Sequence, residues 1–480
     1  MLKNVAIVEK INFCVLIAGI IILIALFPNK RLNYDEPFSI MCSKGITNLS
    51  VGNLRNSGII TSAEINAQNT YHNVFQGGDS FYYVGLHYFT PLFNNSLTSY
   101  VAYSIIWSIL ALIAFYWLCR TVLGSTLFTS LAIVMFFTDI QVMNTTFLVR
   151  PYTMTLCLVL LSAIYFFKYL TQRKSPTNLL LLGLFGVCSI LTHYFAVYVV
   201  IGYALVLLYT DRLTLLTPKK LLAIFVPVAL LGLYFITHRS LNSSYSSYQG
   251  YAKNGLHLKM LVSVWQATTL FTKSIALNFR AIYPLFKDTL AVNICSFLLV
   301  IFIYIYGSKK VIVDKEERRK YHLLFLMGIS SSVFLGILCY AINNTMLFTY
   351  RYFLFSFPFC CIFIVLFVRS LAENRQINIA LKGILIIAII GPVFLKLAKK
   401  GFENTGFQCN HFEVAKTIVK DNVHETEVPG LVDAVFINCL LPPGYSITYQ
   451  INPKSNNFTL HKSGGDEQIP AINSEVLALF

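Results

Sequence analysis

The chain has 480 residues, of which 56% are hydrophobic and only 12% are charged, and its mean hydropathy is +0.65. So few charges exclude a soluble globular domain and indicate a polytopic membrane protein. The formal net charge of +16 is no argument for nucleic acid binding, because the basic residues concentrate in short segments between apolar stretches.

Apolar stretches long enough to cross a bilayer recur from the N-terminus to residue 395. Each is expected to be a helix, because a helix satisfies its own backbone hydrogen bonds in lipid and about 20 residues span the hydrocarbon. The first stretch ends in "PNKR" without a small-residue cleavage site, so we interpret it as a retained helix. We predict about eleven spans, at residues 11–27, 99–119, 125–140, 152–170, 177–193, 194–210, 219–237, 289–307, 321–341, 351–369 and 377–395.

The distribution of basic residues predicts the orientation of these helices. With the N-terminus inside, the short cytoplasmic segments hold about half of the 37 Lys and Arg residues and few acids, as the positive-inside rule requires. The stretch "KKVIVDKEERRK", before the ninth predicted span, is the most basic of them. This orientation leaves three long outside segments, at residues 28–98, 238–288 and 396–480.

Two adjacent acids, Asp35 and Glu36 in "YDEPF", follow the first span. A hydroxyl nucleophile needs a positioned carboxylate to accept its proton, and Asp35 is the candidate for that base. Glu36 would orient an acceptor or shift the pKa of Asp35 through its like charge. The structural alternative is a pair of solvated loop acids, with Asp35 as a counter-ion for Lys30 or Arg31.

The first outside segment ends in the aromatic stretch "GGDSFYYVGLHYFTPLF" before the second span. Its aromatic residues predict a belt at the membrane interface, with stacking on sugar rings as the functional alternative. Asp79 in this stretch is either a helix N-cap or a second active-site acid. The aromatic residues concerned are Phe81, Tyr82, Tyr83, His87, Tyr88 and Phe89.

Arginines at the outside mouths of helices are the candidates for binding a phosphate leaving group, which needs cations as its charge develops. Arg150 in "LVRPY" and Arg351 in "TYRYF" both qualify, and the nearby Tyr152 and Tyr350 add hydrogen-bond donors. The structural alternative is that these arginines snorkel to the lipid headgroups.

Two further residues are weaker candidates for substrate binding. Arg280 lies in the second outside segment, within a stretch that predicts amphipathic helices at the membrane surface. His193 in "LTHYF" lies near the outer end of the fifth span, where a hydrogen-bonded packing residue is the alternative.

The tail from residue 396 changes character and predicts a small α/β domain outside the membrane. The stretch "HFEVAKTIVKDN" predicts a short helix, and "AVFINC", "SITYQI" and "NFTLHKS" predict strands around turns. The tail cysteines, Cys409 and Cys439, either form a disulfide or remain unpaired, and Cys42 is a rival partner.

Five features of the chain occur in a shared order, and together they resemble the C-type membrane glycosyltransferases (GT-C). These are "YDE", "DSFYYVGLHYFTPLF", "VRPYTMTL", "LTHYFAV" and "YRYFLFSFPFCCIFIV". The resemblance covers residues 1–395 and is strongest to the protein O-mannosyltransferase and lipid A aminoarabinose transferase members. One departure is "GGDSFYY", where a proline pair often precedes the tyrosines. The resemblance implies an all-α polytopic catalytic domain over residues 1–395, whereas the small α/β domain over residues 396–480 is predicted from its own pattern and resembles no specific family.

The resemblance also implies an activity: transfer of a sugar, with inversion, from a polyprenyl-phosphate carrier to an acceptor hydroxyl on the outer face of the membrane. The implied partners are that lipid-linked sugar, a glycan or lipid-linked acceptor and membrane lipid, with no nucleic acid. No cofactor is firmly implied, although carboxylates would accommodate a divalent cation.

The size of the chain and its outside tail are similar to the phage-type O-antigen glucosyltransferases. That similarity implies a surface polysaccharide acceptor and a bacterial inner membrane, in which the orientation predicted from the basic residues gives a cytoplasmic N-terminus and a periplasmic C-terminus. A lipid-linked oligosaccharide flippase is the alternative from another class, but it would carry charges deep in its helices and pseudo-repeats, which this sequence lacks. A polysaccharide polymerase is a third alternative.

Overall fold

The computed structural model describes the membrane region more completely than the tail. The described residues are 2–26, 36–43, 59–61, 80–93, 97–171, 174–211, 217–237, 264–265, 268, 290–341, 353–374, 377–380, 382–383, 411–428, 437, 441, 445–449 and 458–462.

Helices make up most of the described chain. In chain order they are α1 (Leu2–Leu26), α2 (Glu36–Ser43), α3 (Ser80–Phe89), α4 (Leu97–Leu123), α5 (Leu127–Phe137), α6 (Ile140–Thr146), α7 (Tyr152–Thr171), α8 (Pro176–Thr192), α9 (Val197–Asp211), α10 (Pro218–Thr237), α11 (Leu290–Tyr306), α12 (Lys315–Ala341), α13 (Phe357–Glu373) and α14 (His411–Lys420). Short 3₁₀ segments cover Thr90–Phe93 and Tyr194–Ala196, and a π turn covers Gly307–Val311.

These helices support an all-α membrane protein. Ten of the eleven predicted spans overlap a described helix, and the span predicted at 377–395 lies mostly outside the described residues. Within the described part of the chain, three helical segments are long and apolar enough to cross a membrane: Ala6–Ala25, Thr98–Leu123 and Tyr152–Thr171. The number of crossings stays a prediction.

The span predicted at 125–140 is divided in the structure. Helix α5 ends at Phe137 and α6 begins at Ile140, so two short helices replace one long one. Asp139 lies at the break, almost fully buried, and its Oδ1 accepts a hydrogen bond from the Val142 N–H at 3.2 Å. An aspartate at the N-cap satisfies a backbone donor that a continuous helix would not expose, which is the physical reason for the break.

The core of the bundle surrounds α7, which packs against α4 on one side and α8 on another. Aromatic rings join neighbouring helices: Phe115 of α4 stacks on Phe136 of α5 at 4.1 Å, and Tyr321 of α12 stacks on Phe363 of α13 at 4.4 Å. Helix α1 is different, since only 22% of its most apolar stretch is buried inside the protein. We therefore expect α1 to lie at the edge of the bundle, facing lipid.

Charged residues that the sequence assigns to the inside meet at one end of the bundle. Arg120 at the end of α4 forms an ion pair with Glu9 of α1 at 2.7 Å. Arg369 of α13 pairs with Glu317 at 3.3 Å and with Glu373 at 3.1 Å. The contacts agree with placing all five residues on one side, while the face of the membrane that they occupy stays a prediction.

The described strands form one four-stranded antiparallel sheet in the order β1 (Ile59–Thr61), β3 (Tyr445–Tyr449), β4 (Phe458–Lys462), β2 (Glu425–Val428). Helix α14 and strands β3 and β4 lie where the sequence predicts them. The strand predicted at 434–439 is wrong at its described residue, because Ile437 is helical and its carbonyl accepts the Leu441 N–H at 3.1 Å.

Strand β1 comes from the first outside segment, where the sequence analysis predicts no strand. It pairs with β3 of the tail, with Ile59 opposite Thr448 and Thr61 opposite Ser446. One strand of this sheet, β1, is therefore not part of residues 396–480. The sheet joins the segment that follows α1 to the tail.

Candidate active site

Glu36 is the first residue of α2 and is completely buried. Its Oε1 accepts a hydrogen bond from the backbone N–H of Val149 at 2.7 Å. A buried carboxylate needs such donors because it has lost its hydration, and a position in the first turn of a helix also favours its negative charge. The bond fixes the segment after α1 to the turn in front of α7. Glu36 is therefore not the solvated loop acid that the sequence leaves open.

Arg150 lies in that turn, directly after Val149. The turn is held by hydrogen bonds from the Leu148 N–H to the Thr145 carbonyl at 3.2 Å and from the Arg150 N–H to the Leu148 carbonyl at 2.7 Å. Pro151 then fixes the backbone for the start of α7, a position where its missing N–H costs nothing. The Nε and Nη1 nitrogens of Arg150 are buried from solvent, so the guanidinium is turned into the protein. An arginine that snorkels to the headgroups would instead turn its guanidinium away from the protein.

Tyr82 of α3 completes the cluster around Glu36 and Arg150. It is fully buried, and its hydroxyl shares a hydrogen bond with the Ser104 hydroxyl at 2.8 Å. Burial raises the pKa of Tyr82 well above its ordinary value, the Glu36 charge adds to this rise, and Arg150 opposes it. Tyr82 therefore stays neutral within electrostatic range of both groups.

Ser104 of α4 has a role that the sequence analysis misses. Its hydroxyl meets Tyr82, and its carbonyl accepts hydrogen bonds from the Ser108 hydroxyl at 2.9 Å and the Thr153 hydroxyl at 3.4 Å. Ser104 thus ties α3 and α7 to the same turn of α4. The available signal is a serine within an apolar helix, which is too common to single out the residue.

The prediction of an interfacial aromatic belt is wrong for two residues of α3. Tyr82 and Tyr83 are 0% and 1% exposed, whereas Tyr88 is 60% exposed, as expected for a belt. Leu86 is also buried, so positions 82, 83 and 86 form one inward face at helical spacing. This spacing is a signal that the sequence analysis could have used. The His87 Nδ1 approaches the Ser43 carbonyl at 2.7 Å and links α3 to the end of α2.

Tyr152 and His193 lie together at the same end of the bundle. Both are buried, and their rings are 5.2 Å apart. His193 links α8 to the 3₁₀ segment after it, and its Nδ1 accepts a hydrogen bond from the Phe195 N–H at 3.3 Å. Because Nδ1 accepts, the proton of the neutral ring lies on Nε2. A histidine that serves only in packing would make the same contacts as His193, and this is the alternative that the sequence leaves open.

The segment before α13 reaches this group as well. Phe355 has its ring 5.8 Å from that of His193 and 6.4 Å from that of Tyr198. Phe355 follows the "TYRYF" motif closely in the chain. The structure therefore brings together the starts of α2, α7 and α13 and the junction between α8 and α9, which are the places where the sequence analysis finds its candidates.

The remaining candidates lie outside the described residues. They are Asp35, Asp79, Arg280, Tyr350 and Arg351, together with the tail cysteines Cys409 and Cys439. Among the described residues, no group of three His, Cys, Asp or Glu side chains is placed to hold a metal ion. The roles of these residues and a divalent cation stay predictions.

Comparison with known families gives one match. Residues 82–247 match the family model described as dolichyl-phosphate-mannose-protein mannosyltransferase. The matched region is about a third of the chain, starts at Tyr82 and contains Arg150, Tyr152 and His193. It confirms the resemblance to the GT-C superfamily and indicates a glycosyltransferase in the membrane. The chain matches no curated protein.

Proposed function

We propose that this GT-C membrane glycosyltransferase moves a sugar from a polyprenyl-phosphate carrier to an acceptor hydroxyl on the outer face of a bacterial inner membrane. The observation that carries the proposal is the 2.7 Å hydrogen bond from the Val149 N–H to Glu36 Oε1. This bond holds the start of α2, which directly follows Asp35, next to Val149, the residue before Arg150. The reaction needs a carboxylate and a cation at neighbouring positions, and this bond joins the two backbone segments that carry them.

In the proposed mechanism, Asp35 accepts the proton of the acceptor hydroxyl. The oxygen attacks the anomeric carbon on the face opposite the phosphate, and the bond from that carbon to the phosphate oxygen breaks. The carrier phosphate leaves with the electron pair, so the configuration at the anomeric carbon inverts. Glu36 is buried and bonded to a backbone donor, which favours a positioning role for it over direct contact with the acceptor.

Arg150 and Arg351 are proposed to meet the negative charge that develops on the leaving phosphate. An arginine presents two parallel N–H groups to two phosphate oxygens, which gives both charge and orientation. Tyr152 and Tyr350 are proposed to add hydroxyl donors. Asp79, His193 and Arg280 complete the proposed substrate-binding set.

Besides lipid A, two acceptors are candidates. The size of the chain and its tail favour O-antigen or another surface polysaccharide. The description of the matched family names a protein acceptor, so a protein hydroxyl is the second candidate. Both use the same chemistry, because the base needs only a hydroxyl whose proton it can accept.

The test is sugar transfer by the purified chain in lipid nanodiscs. Radiolabelled polyprenyl-phosphate hexoses are offered singly with a surface polysaccharide or a protein acceptor, and label bound covalently to the acceptor is measured. We expect the wild type to transfer one of these sugars and Asp35→Asn to lose transfer by at least about 100-fold, since it removes a general base. Both proteins should insert and unfold alike.

Glu9→Gln is the matched control, because it removes an acid at the opposite end of the bundle and should keep full transfer. Near-normal transfer by Asp35→Asn would refute the assignment of the base. The flippase alternative is tested with the chain in sealed vesicles, where movement of the labelled carrier across the membrane without a new glycosidic bond would favour it.

A further inference from the structure

A large cavity lies at the end of the bundle opposite the candidate active site. It has a volume of about 950 Å³ and lies between the second half of α9 and the first half of α12. This volume is near the top of the roughly 300–1,000 Å³ range of ligand sites in proteins. The sequence assigns this end to the cytoplasmic side. The cavity therefore has no part in the proposed transfer.

The lining of the cavity changes along its depth. The start of α12 contributes charged residues at the mouth, Asp314, Lys315, Glu316, Arg318 and Arg319. Deeper in, the walls are mostly apolar and include Leu205, Val206, Leu323, Leu326 and Met327. A site that is charged at one end and apolar along the rest fits an amphiphile better than a water-soluble ligand.

The charges at the mouth favour an anionic group. Asp314 is engaged in capping α12, because its Oδ2 accepts the Glu317 N–H at 2.7 Å. Arg318 donates to the Ile312 carbonyl from Nε at 3.2 Å and from a terminal nitrogen at 2.8 Å. Within the described part of the chain, Lys315 and Arg319 make no hydrogen bond or ion pair. Lys315, Arg319 and the Glu316 carboxylate are thus left at the mouth, with a net charge of +1, next to the positive end of a long helix.

The depth of the cavity matches one leaflet of a bilayer. The lining on α12 runs from Lys315 to Ser330, which at about 1.5 Å per residue is roughly 22 Å. One leaflet, with its headgroup region, is about 20–22 Å thick. Leu205 and Leu326 are 54% and 48% exposed, so part of the apolar surface that lines the cavity is not covered by the protein. A free phosphate ion would leave this surface uncovered, whereas acyl chains would bury it.

We propose that the cavity between α9 and α12 binds one anionic phospholipid of the cytoplasmic leaflet, with its phosphate at Lys315 and Arg319 and its acyl chains along Leu205, Leu323 and Leu326. The lipid would bridge two helices that pack against each other in the described bundle. Basic pockets between membrane helices on the cytoplasmic side are known to select such headgroups.

The test is native mass spectrometry of the full chain in detergent, titrated with phosphatidylglycerol, phosphatidylcholine or soluble glycerol phosphate. We expect one phosphatidylglycerol per chain at concentrations where phosphatidylcholine and glycerol phosphate do not bind. The double variant Lys315→Gln with Arg319→Gln should bind it about 25-fold more weakly, at about fivefold per cation. Lys219→Gln with Lys310→Gln is the control, since these exposed lysines at the same end do not line the cavity.

A second pair of variants tests the apolar part. Leu205→Trp should fill the cavity and reduce phosphatidylglycerol binding, while Leu208→Trp on the same helix, equally exposed but outside the lining, should not. The proposal is overturned by equal binding of phosphatidylcholine or by saturable binding of glycerol phosphate alone. It is also overturned if phosphatidylglycerol binds all the variants alike, because that is the behaviour of general annular lipid.

Discussion

Glu36 at one end of the bundle and Glu9 at the other are both carboxylates held by a 2.7 Å hydrogen bond, yet their surroundings differ. Glu36 is completely buried and accepts from the backbone N–H of Val149, whereas Glu9 is 43% exposed and accepts from the Arg120 guanidinium. Water can replace the partner of an exposed carboxylate at little cost, but it cannot reach a buried one. The end that carries Glu36 is thus held by a buried bond that has no substitute, and the end that carries Glu9 by charge pairs that do.

The strongest test of this contrast is Glu36→Ala. It leaves the Val149 N–H buried without an acceptor, which costs roughly 1–3 kcal/mol of unfolding free energy. Transfer should fall at least about 100-fold, because the segment carrying Asp35 loses its registration with Arg150. Thermal unfolding and kcat/KM for the carrier lipid are the measurements.

Glu36→Gln separates position from charge, since its amide oxygen still accepts the Val149 N–H. It should recover most of the stability and more transfer than Glu36→Ala. If the glutamine variant is as unstable as the alanine variant, the negative charge and not the hydrogen bond holds the turn.

Arg150→Ala probes the basic half of the same site. We expect kcat/KM for the polyprenyl-phosphate sugar to fall by about 10- to 100-fold, as expected for a lost charge-assisted hydrogen bond of roughly 1.5–3 kcal/mol. Arg150→Lys should recover part of the loss, because it keeps the charge without the fork of N–H groups. Arg120→Ala, at the end of the bundle that carries the exposed pair with Glu9, is the matched control and should leave kcat/KM unchanged. Unaltered kinetics in Arg150→Ala would make this arginine a structural residue only.

A smaller effect is expected from Tyr82→Phe, which removes the buried hydroxyl that meets Ser104 at 2.8 Å. The unfolding free energy should fall by about 0.5–1.5 kcal/mol, the usual contribution of one hydrogen bond. Tyr88→Phe on the exposed face of the same helix should not change the thermal midpoint. Equal midpoints for both variants would show that the hydroxyl at position 82 is not needed for stability.

The smallest effect belongs to Glu9→Gln. An exposed ion pair contributes about 0–1 kcal/mol, so the unfolding free energy should change by no more than about 1 kcal/mol. Salt weakens surface pairs further, so the difference from the wild type should vanish at about 1 M salt. A loss comparable with that of Glu36→Ala would erase the distinction between the two ends.

The sequence predicts the helices well because a long apolar stretch in lipid has few other conformations. It is less informative at Asp139, where a side chain capping a backbone group divides a predicted span. It identifies Glu36 and Arg150 as candidates but not their proximity. That proximity depends on the backbone N–H of residue 149, a donor that any residue other than proline supplies.

The inward face of α3 was within reach of sequence reasoning, since Tyr82, Tyr83 and Leu86 repeat at helical spacing. Strand β1 was not, because three residues in a long polar segment carry no signal of pairing with a strand near the other end of the chain. Contacts of this kind depend on the whole fold, and no local pattern specifies them.

The pairing of Ile59 with Thr448 also sets an order of events during biosynthesis. At a synthesis rate of about 5–20 residues per second, the partner strand leaves the ribosome roughly 20–80 s after β1. During this interval the bundle can insert helix by helix, while β1 waits with its hydrogen-bonding edge open. Strand β1 thus reaches its final pairing only once β3 has been made, and a nascent chain that stalls before residue 445 leaves β1 unpaired.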